Sequence, residues 1–166
     1  MEIRDLEAIR KTVETAKRRP PVADDSKFSA AKDAEVGLPA MVYTPEGKPA
    51  FWIVPFLMKD SACGFARVEL SRKVSQIGIF GSGPEDRLSW IGATFFEKPP
   101  PEMLAEIQTR YSGMAMSKPV LSYDASPGKW AWRMEIRKED KIKSIVFITP
   151  GGWYEQKSDK KVGWEG

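Results

Sequence analysis

An α+β fold built as two tandem repeats, each of two helices followed by a four-stranded antiparallel meander sheet, is what three features of the sequence predict. The first is self-similarity at a shift of about 80 residues, which sets Pro20 and Pro21 on Pro100 and Pro101, Pro39 on Pro119, Tyr43 on Tyr123 and Trp52 on Trp132. One residue more sets Gly47 and Lys48 on Gly128 and Lys129. The second is a run of short apolar segments separated by Pro/Gly turns, and the third is helical periodicity ahead of each run. The repeats are expected at 1–81 and 82–166, closed into one compact unit.

Each element follows from local chemistry. Residues 4–18 carry Leu6, Ile9, Val13 and Ala16 at spacings of three and four, and Lys17, Arg18 and Arg19 lie where the helix dipole favours cations. This predicts an amphipathic helix. Residues 25–35, with Phe28 and Ala31, are a weaker second helix. Pro84–Phe96 opens with Pro, Glu and Asp as a first turn should, but its Trp90, Ile91, Thr94, Phe95 and Phe96 are residues that strands prefer. The repeat frame assigns it to helix. Residues 101–112 present Leu104, Ile107 and Tyr111 on one face and are followed by Gly113, which predicts the last helix.

Strands are predicted at 39–43, 50–57, 64–70 and 73–80, and again at 119–124, 129–137, 141–149 and 152–157. Pro then Gly at the centre of Ser126–Lys129 and of Thr149–Gly152 predicts type II turns. Connections this short join antiparallel neighbours, because parallel ones need a crossover of a dozen or more residues.

Composition narrows the chemistry. With no histidine among 166 residues, neither an imidazole-based triad nor a His-ligated zinc site can be built. Cys63 is the single cysteine, so there is no intramolecular disulfide and no multi-thiolate site, and a packed thiol is the favoured reading. A net charge of +3, spread without long runs of one sign, gives weak support to a nucleic-acid partner. The longest apolar stretch, Ala50–Met58, falls short of the roughly 18 residues of a membrane span, and residues 1–5 lack a signal-peptide pattern. A cytoplasmic location is expected, or an exported one if a signal has been removed.

The order of helices and strands, duplicated, resembles the tandem helix-loop-helix plus four-stranded-sheet build of beta-lactamase inhibitory proteins, and more loosely the small PepSY domains. The resemblance implies a non-enzymatic inhibitory or binding module. It rests on architecture alone, and those inhibitors carry a disulfide in each repeat, which this chain cannot form. Transfer of the inhibitors' target is therefore not implied.

The candidate binding site comes from strand patterning. Trp130, Trp132, Met134 and Ile136 alternate with Ala131, Arg133, Glu135 and Arg137, so the first set is expected to face the helices. Six tryptophans invite a stacking platform, but the equivalence of Trp52 and Trp132 favours core positions. Residues 141–149 are apolar on both faces, with Ile142, Val146 and Ile148 on one and Ile145 and Phe147 on the other. If Ile136 faces Ile142, Arg133 comes opposite Ile145 and Ala131 opposite Phe147. The outer face then holds a partner-binding patch of Arg133, Ile145 and Phe147, with Phe65 and Arg67 as its equivalent in the first half. Packing of this face against the other repeat or a loop is the competing reading. Gly78–Gly83 lacks the Gly-Lys-Ser/Thr ending of a phosphate loop and is followed by Glu85 and Asp86, so a turn is favoured. No catalytic, cofactor or metal residues are assigned. The expected function is recognition of another protein through an antiparallel sheet face, with nucleic-acid binding by sheet aromatics and Lys/Arg, or a small-ligand protein or enzyme, as alternatives.

Overall fold

The computed structural model describes residues 2–157. Among them the chain forms three α-helices and two antiparallel sheets. In order these are α1 (Ile3–Lys17), α2 (Ser29–Asp33), β1 (Glu35–Val36), β2 (Ala40–Tyr43), β3 (Pro49–Met58), β4 (Ser61–Glu69), β5 (Val74–Ile79) and β6 (Ile91–Gly92). Then follow α3 (Pro101–Arg110), β7 (Ala115–Met116), β8 (Val120–Tyr123), β9 (Trp130–Lys138), β10 (Lys141–Thr149) and β11 (Gly152–Lys157). Two compact units result, one of residues up to Val42 together with Lys48–Lys98, the other of Tyr43–Gly47 together with residues from Pro99 on. No helix among the described residues is long and apolar enough to cross a membrane.

In the first unit the sheet runs β1-β3-β4-β5, with β2 on β3 and β6 on β4. Ile9 and Val13, one turn apart on α1, are fully buried with Val22, Phe28 and Ala31 against Trp52, Val54 and Phe56 of β3 and Ala66 and Val68 of β4. Lys17 continues the buried face of α1; its Nζ donates to the Ala34 carbonyl at 2.5 Å and lies 5.5 Å from the Phe56 ring centroid, and burial lowers its pKa. A bulge leaves Cys63 unpaired between Ala62 and Gly64 and puts it in the core, where its thiol, pushed up in pKa by burial, donates to the Phe56 carbonyl. It is a packed thiol.

The second unit has the order β7-β9-β10-β11, with β8 on β9. Leu121, Trp132, Met134, Ile136, Val146 and Ile148 are buried. The sheet is tied to α3 by hydrogen bonds from Tyr111 to Glu155 and from Trp153 to Glu106.

Four expectations need correction. Pro84–Phe96 is not a helix: it forms a 3-10 turn at Arg87–Ser89 and then β6, whose Ile91 and Gly92 pair with Ala62 and Ser61. The Asp86 carboxylate accepts from the Ser82 amide at 3.0 Å and the Ser89 hydroxyl at 2.9 Å, which closes a loop where a helix would have to start. Strand-forming residues then pair with the part of β4 that runs past the end of β5, and residues 82–98 join the first unit. The second four-strand set is thus preceded by one helix instead of two, and in the first the 25–35 segment shrinks to a 3-10 turn at Ser26–Phe28 and the five-residue α2.

Register is the third correction. Arg133 faces Phe147, Glu135 faces Ile145 and Ile136 faces Ser144. The β9–β10 turn is only Glu139–Asp140, both at positive φ (53° and 60°), so the hairpin closes one residue tighter than expected and Ile142 comes opposite Arg137. A bulge at Lys143 adds a second residue of shift and separates Ile142 from the Val146 and Ile148 face. The fourth concerns turns. Lys129 N–H does bond to the Ser126 carbonyl at 2.9 Å, but neither Gly128 nor Gly151 has positive φ, so neither turn is type II; Ala125 carries the left-handed backbone instead.

Candidate functional site

The five residues expected to bind a partner are all engaged within their own sheets. Phe65 is 7% exposed, faces Gly78 and stacks on Phe80 at 5.6 Å between centroids. Arg67 lies 4.0 Å from the Phe51 ring centroid and its Nε donates to Glu69 at 2.8 Å. In the second unit Arg133, Ile145 and Phe147 do come together, on the adjacent pairs Arg133–Phe147 and Glu135–Ile145. Phe147 is only 4% exposed and stacks on Tyr154 at 5.4 Å. Glu135 bonds to Arg137 at 2.6 Å and Arg133 at 3.2 Å, and these two guanidiniums hold its carboxyl below the usual carboxylate range.

A second polar cluster joins α3 to its sheet. Glu155 accepts from the Tyr111 hydroxyl and from Ser144 Oγ at 3.2 Å, with Arg110 at 3.7 Å. The Tyr111 bond lowers the Glu155 pKa, while burial and the carboxylate raise that of Tyr111. Every member is bonded to another, which makes the cluster a structural tie. No group of three or more carboxylates and thiols that could hold a metal occurs among the described residues.

The open site is elsewhere. Between the second half of α1, the Pro20-Pro21 bend that follows it, and β5 lies a groove of about 680 Å³, within the roughly 300–1,000 Å³ typical of ligand pockets. Ala16, Val22, Phe28, Val74 and Ile77 give it apolar walls. Sequence dictates this shape locally. α1 turns its Ile9–Val13–Lys17 stripe to the sheet, leaving Thr12 and Thr15 beside the groove with their hydroxyls bonded back to the Ala8 and Lys11 carbonyls at 3.0 Å. On β5 a bulge between Val74 and Gln76 keeps Val74 and Ile77 on one side, where both are only half-buried.

β5 is also the edge of its sheet. Phe80 N–H donates to the Cys63 carbonyl at 2.9 Å, and hydrogen-bonded pairs alternate along an antiparallel ladder, so the backbone groups of Ile77 point away from β4. Among the described residues no strand pairs with this side of β5, so the groove offers open backbone beside apolar side chains. Two exposed cations, Arg19 and Lys73, border it, and none of its lining residues is acidic. The lining also lacks a paired acid and base, and Ser75 Oγ is bonded to Glu69 at 2.6 Å.

The residues of this groove escaped the sequence reading because it joins positions about 60 apart. The available signals were polar Thr12 and Thr15 next to the apolar stripe of α1, and the position of β5 as the last strand of its meander. Comparison of the chain with family models, with curated proteins and with solved structures gives no match, so the function has to be read from the chemistry of the groove itself.

Proposed function

We propose that the protein is a non-enzymatic binding module that captures an extended segment of another protein as an added strand on the edge of β5. The observation that carries this reading is the coincidence of an unpaired sheet edge with an apolar groove, the two requirements of β-strand addition: backbone bonds give affinity, and pockets for alternate side chains give selectivity. The sheet edge is preferred to the sheet face as the docking surface because Phe65 and Phe147 are covered and Arg67 and Arg133 already hold carboxylates.

The same reading takes the two sheets as copies of one ancestral unit. Adding 80 to the pairs Trp52–Val68 and Val54–Ala66 gives Trp132–Ile148 and Met134–Val146, and the bulge at Cys63 recurs at Lys143. Apart from β6, which is added on β4 in the first sheet only, the described strands follow the same order in both sheets. The copies have diverged at the edge, since the side chains of Tyr154 and Gln156 on β11 are bonded to Asp124, whereas β5 borders an open groove.

The test is selection of extended peptides from a displayed random library against the intact chain, followed by titration of two variants. Ile77→Pro removes the outward amide, and Ile77→Ala retains it while losing the same side chain. Strand capture predicts at least a tenfold weaker affinity for the proline variant than for the alanine variant. Equal affinities would place the peptide off the edge.

A further inference from the structure

We infer that the groove selects acidic extended segments, in which carboxylate side chains alternate with apolar ones. This rests on the strand-capture reading and names its partner class. Arg19 stands two residues past the end of α1 and Lys73 just before the start of β5, so the two cations sit on opposite walls. Both are exposed, and neither takes part in an ion pair or side-chain hydrogen bond among the described residues. Of the nearby acids, Glu69 is shared by Arg67 and Ser75, and Glu14, five residues before Arg19, lines a separate cavity with Lys17, Arg18 and Lys32. The described lining of the groove therefore carries two cations and no acid over an apolar floor.

An entering strand places alternate side chains on opposite faces. Its apolar residues can meet Val74, Ile77 and Phe28, while carboxylates come within reach of Lys73 and Arg19. Opposite charge at an exposed rim speeds encounter and discriminates between partners more than it adds affinity, and salt screens it. A cationic strand on the same edge would meet two like charges and no acid.

Three capped hexapeptides of alternating valine with glutamate, glutamine or lysine test this, titrated into isotopically labelled intact protein and followed at the amides of β5. At about 50 mM salt the glutamate peptide should bind at least tenfold tighter than the glutamine peptide, and the lysine peptide more weakly than both. The glutamate advantage should shrink as salt is raised. In the double variant Arg19→Gln with Lys73→Gln the glutamate and glutamine peptides should bind alike. Equal binding of the glutamate and glutamine peptides to the wild type, both lost in Ile77→Pro, would overturn the acidic selectivity and leave strand capture standing. Binding of none of the three would overturn both. A thymidine oligonucleotide that displaces the glutamate peptide at lower concentration would assign the two cations to a nucleic-acid backbone and overturn the inference.

Discussion

The ring of Phe65 lies on Gly78, its direct cross-strand partner: a β carbon built on Gly78 would stand 2.5 Å from Cε1 and 2.7 Å from Cζ of that ring. Gly78 has no positive φ, so the backbone accepts any residue and the constraint is purely one of space. Phe65 cannot simply swing away, because it is also stacked on Phe80 and faces Pro55 on β3. Gly78→Val should therefore destabilise by about 1–3 kcal/mol, the usual range for overpacking. Combining it with Phe65→Leu should recover part of that loss in urea melts. Full additivity of the two losses would mean that the residues do not constrain each other.

Trp132 is 9% exposed and faces Ile148, with Leu121 on its other side. Trp132→Ala should cost about 3–5 kcal/mol, as deletion of a core aromatic does. A denaturant melt showing a loss under about 1 kcal/mol would place the ring in solvent and restore the stacking-platform reading.

Phe147→Ala should likewise destabilise by about 3 kcal/mol or more, because the ring is covered and stacked on Tyr154. Arg133→Ala removes a part-buried ion pair but leaves Glu135 bonded to Arg137, and should cost about 1 kcal/mol. If Phe147→Ala melts like wild type yet loses a protein partner, the sheet face is the docking surface after all.

Acid should weaken the fold through Glu135, Glu155 and Glu69, whose carboxyls are held below their ordinary pKa of 4.5 by hydrogen bonds from Arg137, Tyr111 and Ser75 respectively. A folded-state pKa below the unfolded one contributes stability above pH 4.5 that is lost as pH falls through the lowered values. Urea midpoints should be flat near neutrality and drop below that pH. Glu135→Gln should flatten the drop, and an unchanged slope would rule out the Arg133–Glu135–Arg137 network as a contributor.

At the alkaline end, partial burial and the hydrogen bond to Asp124 push the Tyr154 phenol from 10 up to about 12. Here the folded-state value is the higher one, so the contribution is complete below pH 10 and fades as pH rises toward 12. Phenolate absorbance should show Tyr154 and Tyr111 titrating later than an ordinary phenol, and Asp124→Asn should bring down one of the two. Two unaltered late tyrosines in that variant would rule out Asp124 as the cause.

What the sequence determined by itself was the set of local elements. The spacing of Leu6, Ile9, Val13 and Ala16 marks α1, Pro101 and Gly113 bracket α3, and eight apolar runs between turns became strands β2 to β5 and β8 to β11 within a few residues of where they were expected. Alternation also put Trp52 and Trp132 on buried faces. These are short-range consequences of backbone geometry and side-chain periodicity. Tertiary structure decided the rest. The stretch from Pro84 to Phe96 carried both helix and strand signals, and the uncovered end of β4 together with the Asp86-closed loop settled it as β6. Bulges at Cys63 and Lys143 set the register, and such bulges depend on which partner strand is present. The groove, too, exists only because packing brings Thr12, Phe28 and Ile77 together, residues that share no periodicity; it is contact across long stretches of chain, invisible to local pattern, that exposes an edge and lines it.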